Sequence, residues 1–262
     1  MTKDKSIKDY SFVKLVLVYL NIRFSGHRGY KALEIENTKA AFLKAIDEKL
    51  DYVELDLRKT SDEIVVVFHD KKINKLLNAR GSVDNYSITQ LKSFKYDDGQ
   101  NVMTFEELLA LVKRKINLII DVKTKGIEQT ILNLLKKFEM NNSVIIQSYS
   151  GVIIKRFQKL NPELNYALFR TLMGKRLPFH RGCARLFYRL FIKKYNVKYL
   201  NIDGPFLYDE LAELLHKEGI KIILGARKVE KYLHNLEKWN IEVLNVNNPK
   251  EIKEKLEQLK IR

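Results

Sequence analysis

Residues 52–57 read Tyr52-Val53-Glu54-Leu55-Asp56-Leu57, and after a polar stretch the chain resumes with Ile64-Val65-Val66-Val67-Phe68-His69. The first run alternates apolar with acidic residues and the second is apolar and rich in β-branched residues, which predicts two strands, and the segment between them is too short for a crossover helix. An antiparallel hairpin is therefore expected. With its turn centred between Asp62 and Glu63, His69 stands opposite Asp56. Alternation along a strand puts Glu54 and Asp56 on one face and Val53, Leu55 and Leu57 on the other. Carboxylates on a core strand are expensive to bury unless they are paired or bound to a cation. Taken singly, Glu54 or Asp56 has a plain alternative as a surface partner of Arg58 or Lys59.

Outward from this pair the chain alternates between strand-like and helix-like runs. Strands are expected at Ile22–Ser25, Asn117–Val122, Val144–Ser148, Tyr166–Phe169, Tyr199–Ile202, Lys221–Leu224 and Val243–Val246, besides the hairpin arms. Helices are expected over Thr38–Glu48, Phe105–Arg114, Ile127–Phe138, Val152–Leu160, Glu210–Glu218, Val229–Trp239 and Pro249–Leu259. Thr104 with Glu107 three residues later, and Asn248 before Pro249, are helix start signals. Unbroken strand–helix repetition over this length predicts an α/β chain folded as a single (β/α)8 barrel. Nine strand candidates for eight positions make one of them a hairpin arm. The barrel is expected over residues 22–262, with an N-terminal helical extension over residues 1–21. The apolar stretch Phe12–Leu20 is interrupted by Lys14 and too short to span a bilayer, and it reads as neither a signal peptide nor a membrane span.

Composition narrows the classes. The 262 residues are 45% hydrophobic and 31% charged with 11 Gly and 4 Pro, which excludes a disordered or collagen-like chain. Cys183 is the only cysteine, so any bound metal must be held by carboxylates or imidazoles. The net charge is +16, and eight basic residues with no acid fall in residues 171–198. Arg181, Arg185, Arg189 and Lys193 recur every four residues there, a basic stripe on an amphipathic helix. It reads as a solvated helix face or as a contact for an anionic membrane surface. No established nucleic-acid module or Gly-rich phosphate loop is present, so no nucleic-acid partner is expected.

The ionisable residues gather where strands lead into helices, the end at which barrels build sites. His27 ends the first strand, Glu54 and Asp56 the second, His69 follows the third, and Asp121 and Lys123 close the run that begins at Asn117. Three carboxylates make a hard oxygen site suited to Mg²⁺ or Ca²⁺, and two imidazoles can exchange protons near neutral pH.

In order, Gly26-His27-Arg28-Gly29, Glu36-Asn37-Thr38, Val53-Glu54-Leu55-Asp56, His69-Asp70 and Asp121-Val122-Lys123 resemble the motifs of the glycerophosphodiester phosphodiesterases. Thr104-Phe105-Glu106-Glu107-Leu108 and Gln147-Ser148-Tyr149 resemble two further segments of that family. The resemblance is clear over residues 22–150. It implies a TIM barrel of the phospholipase-C-like phosphodiesterase type, and metal-dependent hydrolysis of a glycerophosphodiester to glycerol 3-phosphate and an alcohol. It further implies His27 and His69 as the acid/base pair, Glu54, Asp56 and Asp121 as ligands of one divalent cation, and Arg28, Lys123 and Glu36 as substrate-binding residues. Glu36 would order the first loop or meet the glycerol hydroxyls. A cytoplasmic enzyme, peripheral at the membrane if the basic stripe binds lipid, is the matching expectation.

The chain departs from the resembled pattern in places. Asp121 stands where glutamate is usual, which shortens the carboxylate's reach by about 1 Å; the related sphingomyelinase D group also uses aspartate there. Ile223-Leu224-Gly225-Ala226 and Ile241-Glu242-Val243-Leu244 replace the family's Trp-Thr-Val-Asn and Gly-Val-Asp-Gly segments. These departures leave two alternatives beside the hydrolase: a barrel that binds a phosphodiester or lipid headgroup without turnover, and a lysophospholipase D or sphingomyelinase D-like lipid phosphodiesterase.

Overall fold

The computed structural model describes residues 22–170, 188–190, 192–225 and 228–260. The expected extension over residues 1–21, Cys183, and Arg181 and Arg185 of the basic stripe lie outside them. Among the described residues nine strands form one sheet: β1 (Arg23–Gly26), β2 (Tyr52–Lys59), β3 (Val65–Val67), β4 (Asn117–Val122), β5 (Val144–Ser148), β6 (Asn165–Arg170), β7 (Tyr199–Asp203), β8 (Lys221–Gly225) and β9 (Val243–Val246). β1 pairs in parallel with both β2 and β9, which closes β1, β2 and β4–β9 into an eight-stranded parallel barrel. β3 is the ninth strand, antiparallel to β2 and outside the ring.

The helices between strands are α1 (Lys39–Asp47), α2 (Ile88–Ser93), α3 (Phe105–Val112), α4 (Glu128–Lys137), α5 (Gly151–Leu160), α6 (Asp209–Lys217) and α7 (Pro249–Lys260). Residues 188–190 and 192–195 are also helical and lead into β7. Thr104 caps α3 as expected, its hydroxyl accepting from Glu107 N at 3.1 Å while the Glu107 carboxylate accepts from Thr104 N at 2.8 Å. The expected helix Val229–Trp239 is instead a 3₁₀ helix over Val229–Asn235. Its buried residues are Val229 and Leu233, and Lys228, at φ 54°, turns the chain immediately before it.

Two apolar layers build the barrel. Val53, Leu55 and Leu57 point outward and pack with Phe42, Leu108, Leu109 and other helix residues. Inside the ring, Tyr52, Ile119, Ile145, Ala167, Tyr199, Ile223 and Val243 fill the lower half, so polar residues further along the same strands are held at the upper, C-terminal end. Beyond β3, Phe68, Ile73, Leu77, Leu91, Tyr96 and Val102 form a small core of their own beside the rim.

The hairpin register differs from the expected one by a single residue. Leu57, Arg58 and Lys59 face Val67, Val66 and Val65, so Asp56 is opposite Phe68, whose N–H donates to the Asp56 carbonyl at 2.9 Å. Thr60 and Ile64 close a loop of three residues, and Glu63 takes the left-handed position at φ 62° that such loops require. Without a glycine to mark it, the odd loop length was not apparent from the residue pattern.

Arg28 (φ 55°) and Gly29 (φ 85°) are consecutive left-handed residues that fold the chain back after β1. Gly29 packs so tightly that a Cβ there would lie 2.5 Å from the Ala41 Cβ in α1. Gly29→Ala is expected to destabilise by about 3 kcal/mol, combining left-handed strain with overpacking. For a chain of this size that corresponds to a fall of roughly 6–12 °C in Tm by calorimetry; an unchanged Tm would refute the tight packing at this turn.

Among the described residues, no helix is long and apolar enough to cross a membrane. Within the basic stripe, Arg189 pairs with Glu218 at 2.8 Å and Lys193 is exposed.

Candidate active site

A cavity of about 220 Å³ opens at the C-terminal end of the barrel, lined by His27, Arg28, Glu54, Asp56, His69, Asp121 and Lys123 on one side. Seven of the eight residues singled out in the sequence meet there. Glu36 stands behind the wall and backs Arg28, accepting from its Nη1 at 2.8 Å and from Lys31 at 3.3 Å. Both contacts are made to the loop that follows β1.

The Glu36-Asn37-Thr38 segment divides its work among three residues. Glu36 fixes Arg28, and Thr38 caps α1, its hydroxyl accepting from Ala41 N at 3.4 Å. Asn37, at φ 60°, donates through Nδ2 to Asp56 Oδ2 at 2.9 Å. Burial works against ionising Asp56, but Lys123, His69 and Arg28, with the Asn37 hydrogen bond, hold its pKa down to about 2.

One oxygen from each of Glu54, Asp56 and Asp121 lies within 4.8 Å of the others, and all three residues are buried. Burial raises the Glu54 carboxyl well above the usual carboxylate range, and repulsion from Asp56 and Asp121 raises it further. Asp121 is also pushed up by burial and by Asp56, against the pull of Lys123. Its Oδ2 accepts from Lys123 Nζ at 2.5 Å, while its Oδ1 has no hydrogen-bond donor among the described residues. Hard oxygen donors, crowded negative charge and an unpartnered buried oxygen together fit a divalent cation.

Positive charge stands next to the trio. Lys123 Nζ also reaches Asp56 Oδ1 at 3.0 Å and lies 5.1 Å from the Tyr149 ring centre. Burial disfavours its ammonium form, yet Asp121 and Asp56 keep its pKa above the ordinary lysine value. Arg28 donates its backbone N–H to Glu54 Oε2 at 2.9 Å; its Nε lies 3.4 Å from Asp56 Oδ2 and makes no hydrogen bond among the described residues.

The two histidines are held differently. His27 Nδ1 lies 2.7 Å from Asn247 Oδ1; an amide oxygen only accepts, so Nδ1 carries the hydrogen and Nε2 is left as the basic nitrogen. Burial and the Arg28 charge push the His27 pKa down to about 4, which keeps the ring neutral near pH 7. His69 Nδ1 lies 2.7 Å from Asp70 Oδ1, and Arg58 Nε donates to the His69 carbonyl at 2.8 Å. Burial lowers the His69 pKa as well, with Lys123 and Arg28 acting the same way and Asp56 and Asp70 against them.

Gln147, Tyr149, Phe169, Asn201, Asp203, Gly225, Asn245 and Asn247 complete the lining. Except for the Gln147-Ser148-Tyr149 segment, sequence reasoning missed these residues. A signal was present: Asn201 and Asp203 alternate with Leu200 and Ile202 as Glu54 and Asp56 alternate with their neighbours, and Asn245 and Asn247 flank Val246 in the same way.

Residues 27–251 match the profile of the Glycerophosphoryl diester phosphodiesterase family. A glycerophosphodiester phosphodiesterase of Caldanaerobacter subterraneus is 26% identical over 236 residues, covering 85% of this chain and 93% of that protein. One from Bacillus subtilis is 28% identical over 248 residues, covering 85% and 82%. Among solved structures, a phosphodiesterase of Oleispira antarctica in complex with the product sn-glycerol-3-phosphate superposes with a TM-score of 0.78 at 16% identity, covering 92% of this chain and 99% of that one.

Proposed function

Because the chain belongs to the glycerophosphoryl diester phosphodiesterase family, we propose that it splits a glycerophosphodiester into glycerol 3-phosphate and an alcohol, with His27 and His69 exchanging the protons. As a member of that family it is a phosphoric diester hydrolase. The observation that carries the proposal is the meeting of two differently held histidines with three buried carboxylates in one small cavity. The product bound by the Oleispira relative, which shares the fold, supports the choice of substrate class.

Glu54, Asp56 and Asp121 would hold one divalent cation, Mg²⁺ or Ca²⁺. When bound, such an ion neutralises charge on phosphoryl oxygens and polarises them for attack. Arg28 supplies a planar guanidinium suited to phosphate oxygens, and Lys123 adds a second positive charge. Neutral His27 accepts at Nε2 the proton of the attacking hydroxyl, which belongs to water or to the substrate's own glycerol; in the second case water then opens the cyclic phosphate to glycerol 3-phosphate. As the bond from phosphorus to the departing oxygen breaks, protonated His69 gives its Nε2 proton to that oxygen, with Asp70 steadying the ring. Arg58 and Asn247 position the two rings without touching the reacting atoms. A cavity of about 220 Å³ suits a compact diester.

The test is release of glycerol 3-phosphate from a set of glycerophosphodiesters, with Mg²⁺, with Ca²⁺ and with chelator. Release that requires a divalent ion is expected. Divalent binding without release from any diester would replace the hydrolase reading with that of a binding protein.

A further inference from the structure

Across the ring from the carboxylates, β7, β8 and β9 present Asn201, Asp203, Gly225 and Asn245 to the cavity. Asn201 donates through Nδ2 to Gln147 Oε1 at 2.8 Å, which fixes the amide and directs its carbonyl away from β5. Asn201 Oδ1 has no donor among the described residues, and neither has Asn245 Oδ1, although the two residues are only 0% and 3% exposed. Between their strands Gly225 adds no side chain; a Cβ there would stand 2.4 Å from Asp203 Oδ1 and 3.4 Å from Asn201 Oδ1. The Asp203 carboxylate takes the place a Cβ would fill, so the wall carries acceptor oxygens on β7 and β9 with no side chain from Gly225 between them.

A buried carbonyl oxygen without a donor is costly. Two of them on the wall of a substrate cavity call for a ligand that brings the hydrogens. A quaternary ammonium or an acyl chain brings none. We propose that this wall is a subsite for the hydroxyl groups of a polyol, so that the preferred substrates are diesters joining glycerol to a second polyol. The inference rests on the phosphodiesterase reading above and adds the class of alcohol. Hydroxyl groups donate to Asn201 Oδ1 and Asn245 Oδ1, and the missing Cβ at residue 225 makes room for the Asp203 carboxylate beside them. The wall falls in the part of the chain where the resembled motifs are replaced.

The experiment compares kcat/KM for glycerophosphoglycerol, glycerophosphoinositol, glycerophosphoethanolamine and glycerophosphocholine, all with the divalent ion present. The polyol diesters are expected to lead the choline diester by about tenfold or more, because a site built for hydrogen bonding rejects an analogue that lacks the donors. Asn245→Leu and Gly225→Ala should each bring that ratio toward one. Should Gly225→Ala fail to fold, Asn245→Leu still reads the subsite, with its melting curve as control. Equal kcat/KM across the set, a leading ethanolamine or choline diester, or a ratio that Asn245→Leu leaves unchanged would overturn the subsite while the hydrolase reading stands. If no diester turns over, the hydrolase reading fails, and titration with free inositol followed by NMR decides the subsite: shifts lost in Asn245→Leu support it, and no shifts overturn it.

Discussion

Glu54→Gln is expected to lower kcat/KM on the order of 10³-fold, the scale of losing a preorganised electrostatic element of a site, and to leave the fold intact. The amide keeps an oxygen to accept from Arg28 N, now 2.9 Å from Glu54 Oε2, so the turn after β1 retains its anchor. What disappears is a negative charge that burial, Asp56 and Asp121 already oppose. In chelator the variant should therefore melt no lower than wild type. The contrast appears when ions are added. A divalent ion at about 100 times its Kd stabilises a folded protein by about 2.7 kcal/mol; wild type should gain on that scale and the variant little. A variant that melts several degrees lower in chelator would mean that Glu54 is chiefly structural, and an equal gain with the ion would remove it from the ligand set.

His27→Ala and His69→Ala are each expected to cost about 10²–10⁴-fold in kcat on alkyl diesters, the usual worth of a positioned acid or base. The separate roles give a sharper expectation. A leaving group such as p-nitrophenolate departs without a proton, so His69→Ala should recover to within about tenfold of wild type on a p-nitrophenyl diester, whereas His27→Ala should remain impaired on both substrates. The reverse pattern would exchange the roles, and wild-type-like rates in either variant on alkyl diesters would remove that residue from the chemistry.

The barrel was legible because the strand–helix rhythm runs along the whole chain and because charge interrupts it in one kind of place. Glu54 and Asp56 alternate with residues that are fully buried against the helices, and only a paired or cation-bound acid is tolerable in that setting. The same argument brought in Asp121 and Lys123. The hairpin register escaped by one residue because Glu63 occupies a left-handed position that glycine usually marks. The amide wall escaped for a different reason: an uncharged asparagine costs less to bury than a carboxylate, so its place in the alternation drew less notice, although Asn201 and Asn245 are as deeply buried as Glu54. Asn247 could be tied to His27 only through the three-dimensional structure, because the two residues are 220 positions apart and meet through the closure of β1 against β9.

The proposed reaction requires one cation held by Glu54, Asp56 and Asp121 between two histidines. Crystals of the protein grown with Mn²⁺ and glycerol 3-phosphate test this most directly through the anomalous signal of the metal. One strong site bonded to all three carboxylates is expected, with the phosphate between the His27 and His69 rings and within reach of Arg28. A metal bound elsewhere, or glycerol 3-phosphate seated away from both histidines, would contradict it.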